Sequence, residues 1–187
     1  MRRKGGPKDR ITAGRAKKVD FKAIKLIAMD VDGVLTDGRI VLGHKDEMKF
    51  FDVRDGMGIT LAQKAGLKIA FITSRGGKVV ERRAKELRVD YLFQGCEDKA
   101  KALAEILKKE KLFFKNAAYI GDDIVDITPM RKAGFAATVS DAPEYIMEEV
   151  DYVSAKKGGR GAVREIVEHV LKGKNALAKA IEGVLDG

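Results

Sequence analysis

Short runs of apolar residues alternate with segments whose apolar positions recur at helical spacing along most of this chain. Short apolar runs are typical of buried strands, and the longer periodic segments are typical of amphipathic helices. Six strands are predicted, at residues 24–29, 68–73, 91–93, 117–120, 136–139 and 152–153. Six helices are predicted, at residues 56–64, 76–87, 98–110, 124–132, 143–149 and 162–171. This alternation predicts an α/β fold with a mainly parallel sheet and helices on both faces.

One stretch near the first strand breaks this rhythm. Residues 38–53 contain β-branched and aromatic residues around a polar, Gly-containing turn at 43–46. This pattern predicts a hairpin inserted after the first strand. Because of its place in the chain, the hairpin is expected either to rim a pocket at the end of that strand or to be a plain surface hairpin.

The length suits one compact domain with short extensions. We expect that domain over residues 24–172, a basic, disordered arm over residues 1–23 and a tail over residues 173–187. In the tail, Leu177, Ile181, Val184 and Leu185 recur at helical spacing. An amphipathic helix of this kind needs a surface to pack on, in its own subunit or in a neighbour.

The net charge of +9 is concentrated in the arm. Residues 1–23 carry nine Lys and Arg against two Asp and therefore hold +7 of it. Few apolar residues and several glycines are typical of a solvated tail, and contact with nucleic acid or an acidic surface is the alternative. The arm lacks the apolar core of a secretory signal, and no apolar run approaches the roughly 18 residues that span a bilayer.

Cysteine and histidine usage narrows the chemistry. Cys96 is the only cysteine, so no intrachain disulfide can form, which is compatible with a reducing cytoplasm. The two histidines, His44 and His169, lie far apart in sequence in unlike contexts. A histidine-rich site is therefore not expected, and any metal should be a hard ion bound by oxygen.

Two carboxylates follow the first predicted strand. Asp30 and Asp32 lie two residues apart, and Gly33 follows them. Alternate residues of a strand share a face, so both carboxylates would point into one crevice at the strand's carboxyl end, where open α/β sheets bind ligands. A divalent cation relieves the repulsion between two such acids. An acidic turn without further chemistry is the alternative.

A second acidic cluster follows the predicted strand at 117–120. Asp122, Asp123 and Asp126 open the next helix. Acids from two neighbouring strand ends can converge on one cation, and carboxylate ligands with water and phosphate oxygens favour Mg²⁺. Helix capping is the alternative, and it accounts for one of the three acids more easily than for all of them.

Two further segments offer groups that bind anions. Thr73, Ser74 and Arg75 end the second predicted strand, where hydroxyls, a guanidinium and a helix N-terminus can meet an anion. Capping by Ser or Thr is the alternative for that segment. Lys99 begins a helix, where it can hold a phosphoryl group and offset nearby carboxylates; a solvated surface lysine is the alternative.

Taken together, Asp-x-Asp, Thr-Ser, Lys and Gly-Asp-Asp in this order resemble the haloacid dehalogenase (HAD) superfamily of phosphotransferases with an aspartate nucleophile. The resemblance covers roughly residues 24–172 and is carried by residues 30–36 and 121–123. Residues 53–59 and 158–165 are similar to signatures of the 3-deoxy-D-manno-octulosonate 8-phosphate (KDO 8-phosphate) phosphatase family within that superfamily.

The resemblance implies a Rossmann-like HAD core with a hairpin flap and no large cap domain. It also implies a cytoplasmic, Mg²⁺-dependent homotetramer of lipopolysaccharide biosynthesis, in which neighbouring subunits help close each site and the Gly-rich tail can reach the pocket. The implied reaction is hydrolysis of KDO 8-phosphate, a phosphorylated acidic sugar, through an aspartyl-phosphate. Neither a membrane nor nucleic acid is expected as a partner.

The resemblance assigns roles to residues of this chain. The catalytic and metal-binding assignments are Asp30 as nucleophile, Asp32 as acid and base, Thr73 and Lys99 as phosphoryl ligands, and Asp30, the backbone carbonyl of Asp32 and Asp122 as metal ligands. Asp123 and Asp126 are assigned to supporting Lys99 and the metal loop. The residues assigned to the substrate are Thr36, Arg54, Gly56, Ser74, Arg75 and Arg164, with Arg160 as a further guanidinium.

One departure and three alternatives accompany this interpretation. Ser74 stands where relatives usually have Gly, which bears on substrate preference more than on chemistry. One alternative is a phosphatase for another acidic sugar, such as a sialic-type 9-phosphate. Another is an inactive HAD-like module that binds nucleic acid through its arm. A signalling receiver domain is disfavoured, because its acidic pair ends the first strand while its phosphorylated Asp lies on the third.

Overall fold

A six-stranded parallel sheet forms the centre of the protein. The computed structural model describes residues 18–43 and 47–186. The strands in chain order are β1 (Leu26–Met29), β2 (Val41–Leu42), β3 (Glu47–Met48), β4 (Lys68–Ile72), β5 (Tyr91–Phe93), β6 (Ala117–Ile120), β7 (Phe135–Thr138) and β8 (Tyr152–Val153). The sheet order is β5-β4-β1-β6-β7-β8, and β2 and β3 pair separately. The predicted α/β class and parallel sheet are confirmed.

Strand β1 occupies the middle of this sheet. It pairs in parallel with β4 on one side and β6 on the other, so that Met29 lies beside Phe71 and Ile120. All four residues of β1 are buried. Because a central strand of a parallel sheet is covered on both faces, it reads as a continuous apolar run. The residues that follow β1, β4 and β6 therefore emerge at the same edge.

Helices cover both faces of the sheet, as predicted. They are α1 (Val53–Lys64), α2 (Lys78–Glu86), α3 (Lys99–Lys109), α4 (Ile127–Lys132), α5 (Glu144–Met147), α6 (Ala162–Gly173) and α7 (Leu177–Leu185). Helices α1, α2 and α6 pack on the face that includes Ile27 and Phe71. Helices α3, α4 and α5 pack on the face that includes Leu26 and Tyr119. Within the described ranges, no helix is both long and apolar enough to cross a bilayer.

Two helices start three residues away from the predicted position. Helix α1 starts at Val53, three residues earlier than predicted, because the side chain of Asp52 caps it by accepting from the Arg54 N–H. The glycines of this helix weaken its helical pattern in the sequence, so the earlier start was not predicted. At Gly58 a Cβ would lie 2.8 Å from the Cα of Arg164, so the close approach of α1 and α6 requires glycine there. The helix predicted at 124–132 begins instead with a 3₁₀ turn at Ile124–Asp126.

The last residues of the predicted arm belong to the folded body. A 3₁₀ turn spans Phe21–Ala23, and the Phe21 ring lies 5.2 Å from that of Phe135 and 5.3 Å from that of His169. This aromatic packing anchors the segment. Residues 1–17, where most of the predicted basic arm lies, are outside the described residues.

A lysine from the far end of the chain fastens the same turn. The Lys174 ammonium donates to the carbonyl oxygens of Phe21, Lys22 and Ile24, at 3.2, 3.3 and 2.8 Å. Burial, together with the nearby charge of Lys25, lowers the pKa of Lys174. This ammonium group therefore links the end of helix α6 to the first described turn.

The predicted C-terminal tail forms α7 and packs within the same subunit. Its small residue Ala180 is buried, and the helix lies against α1 and α6. Leu185 is largely exposed and Ile181 is partly exposed. The tail therefore covers the outer face of α1 in this chain.

The predicted hairpin after β1 is present and is called the flap here, comprising residues 38–43 and 47–52. Val41 pairs with Met48 in antiparallel register. The turn predicted at 43–46 lies mostly outside the described residues. The flap exposes Leu42 at 80% and Phe50 at 66% of their surface, along with Met48. Its outer face is therefore apolar.

Candidate active site

Several of the predicted site residues lie at the carboxyl edge of the sheet. The Asp30 N–H extends the ladder by donating to the Ile120 carbonyl at 2.9 Å, and the Thr73 N–H does the same to Phe93 at 2.9 Å. Asp122 follows β6 after a single glycine. The backbone of the sheet therefore fixes the positions from which the side chains of Asp30, Thr73 and Asp122 extend.

Asp30 is a buried carboxylate with both oxygens engaged. Its Oδ1 accepts from the Val31 N–H at 2.7 Å, and its Oδ2 lies 2.6 Å from the Lys99 ammonium. Burial raises the pKa of Asp30 to about 6; Asp126 adds to the rise, and Lys99 opposes it. Asp30 is thus a buried carboxylate held against one buried cation.

Lys99 bridges the two acidic clusters. Its side chain is almost fully buried, and its ammonium lies 2.6 Å from Asp30 Oδ2 and 2.8 Å from Asp126 Oδ1. Burial opposes the charge, but Asp126 and Asp30 outweigh it and raise the pKa of Lys99. The lysine is therefore a fixed cation, placed beside the carboxylate proposed as nucleophile.

Asp126 is fully buried and accepts four hydrogen bonds. Its Oδ1 accepts from Lys99 at 2.8 Å and from the Tyr119 hydroxyl at 2.9 Å. Its Oδ2 accepts from the N–H groups of Asp122 and Asp123 at 3.1 and 3.3 Å. These four donors occupy both carboxylate oxygens, so Asp126 orients Lys99 and the loop around it.

Sequence reasoning missed Tyr119. A tyrosine in a buried strand ordinarily signals core packing, and the side chain is indeed buried on the α3 face. Burial and the neighbouring Asp126 raise its pKa well above the usual range, so its hydroxyl remains a donor. The available signal was its position in the sequence, because Tyr119 lies in the strand that leads directly into the acidic loop.

The carboxylates of this edge suit a hard divalent cation. One oxygen each from Asp30, Asp122 and Asp126 lies within 4.8 Å of the others. Burial, then Asp30 and Asp126, raise the pKa of Asp122 to about 8. Asp122 Oδ1 is buried and accepts no hydrogen bond from the described residues. Such crowded acids with an unpartnered oxygen fit Mg²⁺, and because Asp126 is saturated, Asp30 and Asp122 are the carboxylates available to it.

The loop after β1 brings its backbone against Asp122. Gly33 has φ +89°, and a Cβ there would lie 2.0 Å from Asp122 Oδ2. The Thr36 hydroxyl is buried inside this loop, where it accepts from the N–H groups of Gly33 and Gly38 at 3.4 and 3.2 Å. Thr36, predicted to bind substrate, is therefore committed to the turn in this chain.

Asp32 lies beside two residues that sequence reasoning also missed. Lys49 places its ammonium 2.5 Å from Asp32 Oδ1 and 2.9 Å from Glu47 Oε1. The carboxylate of Asp32 is not part of the cluster formed by Asp30, Asp122 and Asp126. A lysine and a glutamate in a polar hairpin resemble solvated surface groups, so their sequence carries little signal.

Two of the residues predicted to bind the substrate lie at the mouth of the site. The Arg75 guanidinium lies 3.9 Å from Asp32 Oδ2 and 3.6 Å from Glu47 Oε1, and about half of its side chain is exposed. Ser74 is exposed beside it. The Arg75 N–H donates to the Thr73 hydroxyl oxygen at 3.2 Å, which leaves the buried Thr73 O–H able to donate.

Other predicted substrate residues are engaged elsewhere in this chain. Arg54 pairs with Asp52 at 2.9 Å, and Arg164 with Glu168 at 2.5 Å. Gly56 packs against the side chain of Arg83 on α2. Among the described residues, no ion pair joins Arg54 or Arg164 to Asp30, Asp32 or Asp122. The fold therefore does not bring these groups together with the carboxylates within one subunit.

The remaining predicted residues support nearby loops. Asp123 is exposed and caps the 3₁₀ turn, accepting from the Ile124 N–H at 2.7 Å. Arg160 lies 3.8 Å from Asp37. These contacts make Asp123 a loop-capping residue and place Arg160 beside the start of the flap.

The Gly-rich segment at 158–161 packs on the loop after β1. The Gly159 N–H donates to the Val34 carbonyl at 3.0 Å. Asp55 of α1, buried and missed by sequence reasoning, accepts from the N–H groups of Gly161 and Arg164 at 3.2 and 2.9 Å. Burial, opposed by these two hydrogen bonds, raises the pKa of Asp55. The segment thus supports the site loop from behind and caps α6.

The chain matches proteins of known type in three comparisons. A family model described as haloacid dehalogenase-like hydrolase matches residues 92–166. The 3-deoxy-D-manno-octulosonate 8-phosphate phosphatase KdsC of Escherichia coli K12 is 41% identical over 158 residues, 84% of each chain.

Solved structures of similar proteins share the whole fold. The 3-deoxy-D-manno-octulosonate 8-phosphate phosphatase of Moraxella catarrhalis, in complex with magnesium, phosphate and KDO, has a TM-score of 0.84 and 42% identity, covering 87% of this chain and 94% of its own. The cobalt-bound deoxy-D-mannose-octulosonate 8-phosphate phosphatase of Haemophilus influenzae has a TM-score of 0.84 and 34% identity, covering 89% of this chain and 99% of its own.

Proposed function

Because this chain belongs to the 3-deoxy-D-manno-octulosonate 8-phosphate phosphatase family of the HAD superfamily, we infer that it is a Mg²⁺-dependent phosphatase that converts KDO 8-phosphate to KDO and inorganic phosphate. The observation that supports this conclusion most directly is a pair of buried ion pairs at the carboxyl edge of the sheet, in which Lys99 contacts both Asp30 and Asp126. Asp122 lies beside them. This arrangement supports nucleophilic attack on an anionic phosphate.

We propose Asp30 as the nucleophile and Asp32 as the acid and base. In the first step a carboxylate oxygen of Asp30 bonds to phosphorus while the bond from phosphorus to the sugar oxygen breaks, and Asp32 gives that oxygen its proton. In the second step Asp32 takes a proton from water, the water oxygen bonds to phosphorus, and Asp30 leaves. Dividing the displacement in two is the logic of covalent catalysis, and a positioned acid and base typically supply about 10²–10⁴-fold.

Lys99 and Thr73 are proposed to bind the phosphoryl oxygens. The fixed ammonium of Lys99 lies 2.6 Å from Asp30, and Thr73, whose O–H is available, follows β4, the strand that pairs with β1. Stabilising charge on these oxygens is the main task in phosphoryl transfer. Asp126 and Tyr119 hold Lys99 in place for this role.

Asp30, Asp122 and the backbone carbonyl of Asp32 are proposed to hold Mg²⁺. When bound, the ion supplies positive charge that lowers the repulsion between a carboxylate and a phosphate. The unpartnered, buried Oδ1 of Asp122 supports this assignment. The saturated carboxylate of Asp126 supports leaving it out.

Arg75 is proposed to bind the carboxylate of the sugar acid, since a planar guanidinium matches a carboxylate in two hydrogen bonds. Arg54 and Arg164 would serve the same purpose only from a neighbouring subunit. The apolar outer face of the flap supports such an assembly, and we propose the homotetramer expected of the family. A cytoplasmic location and a role in lipopolysaccharide biosynthesis are proposals from the same resemblance.

Phosphate release from a panel of sugar phosphates tests the function. With Mg²⁺, KDO 8-phosphate should give a kcat/KM well above that of a sialic-type 9-phosphate, a neutral hexose phosphate or a nucleotide. A higher value for the nine-carbon acid would reassign the substrate and leave the chemistry standing.

Asp30→Asn tests the nucleophile, with the exposed Asp123→Asn as its matched control. The first variant should fold normally and lose nearly all turnover, because an amide does not attack phosphorus. The control should retain most of its turnover. If purified Asp30→Asn turned over at the parental rate, the mechanism would be wrong.

A further inference from the structure

The flap sends one buried cation into the site. Lys49 follows β3, and its neighbours Met48 and Phe50 point outward, with much of their surface exposed. Side chains alternate along an extended strand, so Lys49 points inward. Only 1% of its side chain is exposed, and its ammonium lies 2.5 Å from Asp32 Oδ1.

The two oxygens of Asp32 have different surroundings. Oδ1 accepts a hydrogen bond from Lys49. Oδ2 is buried and has no hydrogen-bond partner among residues 18–43 and 47–186; the Arg75 Nε lies 3.9 Å away, beyond hydrogen-bond reach. Lys49 therefore leaves one defined oxygen of Asp32 available for proton exchange.

Glu47 holds Lys49 from a second direction. Its Oε1 lies 2.9 Å from the Lys49 ammonium and 3.6 Å from the Arg75 guanidinium. The carboxylates of Asp32 and Glu47 therefore alternate with the cations of Lys49 and Arg75. The Lys49 ammonium is held between the two carboxylates. Burial opposes the charge on Lys49, but its hydrogen bond to Asp32 and its ion pair with Glu47 raise its pKa.

We propose that Lys49 is a positioning residue of the phosphatase reaction, which holds Asp32 Oδ1 so that Oδ2 faces the ester oxygen of the substrate. The proposal rests on the proposed function, since it acts through Asp32. In the first step the proton on Oδ2 passes to the departing sugar oxygen as its bond to phosphorus breaks. In the second step the same oxygen takes a proton from water. A flap displaced from this position would leave both carboxylate oxygens free to rotate away.

Lys49→Met tests this role, because methionine keeps much of the side chain's length and removes the ammonium. We expect kcat on KDO 8-phosphate to fall by roughly 10–100-fold, while KM changes by less than about threefold, as for a loss confined to the transition state. Lys49→Arg, which restores a cation, should recover part of kcat. Arg39→Met is the matched control, because Arg39 lies on the same flap with its side chain 82% exposed, and its kcat should stay within about twofold of the parent.

A double-mutant cycle with Asp32→Asn separates positioning from general damage. If Lys49 acts through Asp32, adding Lys49→Met to Asp32→Asn should lower kcat by less than about threefold further, so the two losses are strongly non-additive. Additive losses would overturn the proposal, as would a kcat for Lys49→Met equal to that of the parent, or a loss expressed only in KM.

Glu47→Gln provides a second route that does not depend on Lys49→Met folding. It loosens Lys49 without removing it, so we expect a kcat loss of about 3–10-fold that disappears in the Asp32→Asn background. A loss that persists there would count against positioning. Failure of the parent protein to release phosphate from any panel substrate would instead overturn the proposed function, and this inference with it.

Discussion

The sheet edge and the flap contribute to the same site by different means. At the edge, Asp30, Lys99 and Asp126 are buried and joined to one another by contacts of 2.6 and 2.8 Å. The flap has two strands of two residues each and exposes apolar side chains such as Leu42 and Phe50. The edge is held by the protein's own core, whereas the flap carries an outer face that the described residues of one subunit do not cover.

This difference shows where the site is self-sufficient. The residues proposed as nucleophile, phosphoryl ligands and metal carboxylates all follow strand ends or begin a helix, and the parallel register fixes the strand ends. Asp32, proposed as the acid and base, instead contacts the flap through Lys49. Disturbing the edge should therefore destabilise the protein, and disturbing the outside of the flap should not.

Asp126→Ala is expected to have the largest effect on stability. It removes the acceptor that the buried Lys99 ammonium and the buried Tyr119 hydroxyl share, so that Lys99 keeps Asp30 as its remaining partner. Removing one partner of a buried ion pair costs about 3–5 kcal/mol. Urea unfolding measures this loss. The exposed Asp123→Ala should cost only about 1 kcal/mol, the usual value of a lost cap. Equal losses would mean that the edge is no more tightly held than its surface.

Removing Mg²⁺ should make the edge sensitive to pH. The pKa values of about 6 for Asp30 and about 8 for Asp122 lie above the ordinary aspartate value. The metal-free native protein then binds more protons than the unfolded chain, and this stabilisation, complete below about pH 4, is lost as pH rises through 6 and 8. The free energy of unfolding should fall by about 2–3 kcal/mol between pH 6 and 8.

Excess Mg²⁺ should reduce or reverse this fall, because the ion binds the ionised carboxylates. Unfolding at several pH values, with EDTA or with Mg²⁺, measures the difference. Parallel curves in the two conditions would exclude the assigned metal carboxylates.

Tyr119→Phe should have a smaller effect, since it removes one hydrogen bond to Asp126 and keeps the ring. We expect a loss of about 1 kcal/mol in stability and a modest fall in kcat. Tyr152→Phe removes a comparable hydrogen bond, to Glu165 at 2.9 Å, away from the carboxylate cluster. It should leave kcat within about twofold of the parent; equal falls in kcat would deny Tyr119 a link to the site.

The smallest effect on the fold is expected on the outside of the flap. Leu42→Ser with Phe50→Ser should change the unfolding free energy of the separated subunit by no more than about 0.5 kcal/mol, as is usual for exposed positions. Under the proposed tetramer, sedimentation should nevertheless show smaller species. Leu185→Ser on α7 is the control and should leave the assembly intact, and an unchanged sedimentation profile for the flap variant would separate the flap from assembly.

Sequence reasoning recovered the edge better than the flap for a physical reason. Apolar runs that end in polar residues indicate strand ends, and the carboxyl ends of parallel strands share one edge of the sheet. The proximity of Asp30, Thr73 and Asp122 could therefore be predicted from the sequence. The position of Lys49 in the site could not be predicted, because its inward direction depends on the register of the two-residue strand that precedes it. A lysine among polar hairpin residues has the same sequence signature whether it points in or out.

Helix boundaries and supporting residues show the same limit. Gly58 weakens the helical signal of α1, although the close packing of α1 and α6 requires it. Tyr119 and Asp55 are polar groups whose partners lie on other elements, so only the folded arrangement reveals their hydrogen bonds. Thr36 was predicted to contact the substrate, whereas in the folded chain its hydroxyl accepts hydrogen bonds within its own turn.

The three carbonyl groups gathered by Lys174 have a practical consequence for chemical labelling. Lys174 carries a primary amine, the group that acylating reagents modify. Once acylated, it could no longer donate three hydrogen bonds, and the corner around Phe21 would loosen. Amine-directed tagging or immobilisation therefore risks opening this corner to proteases, far along the sequence from the modified site.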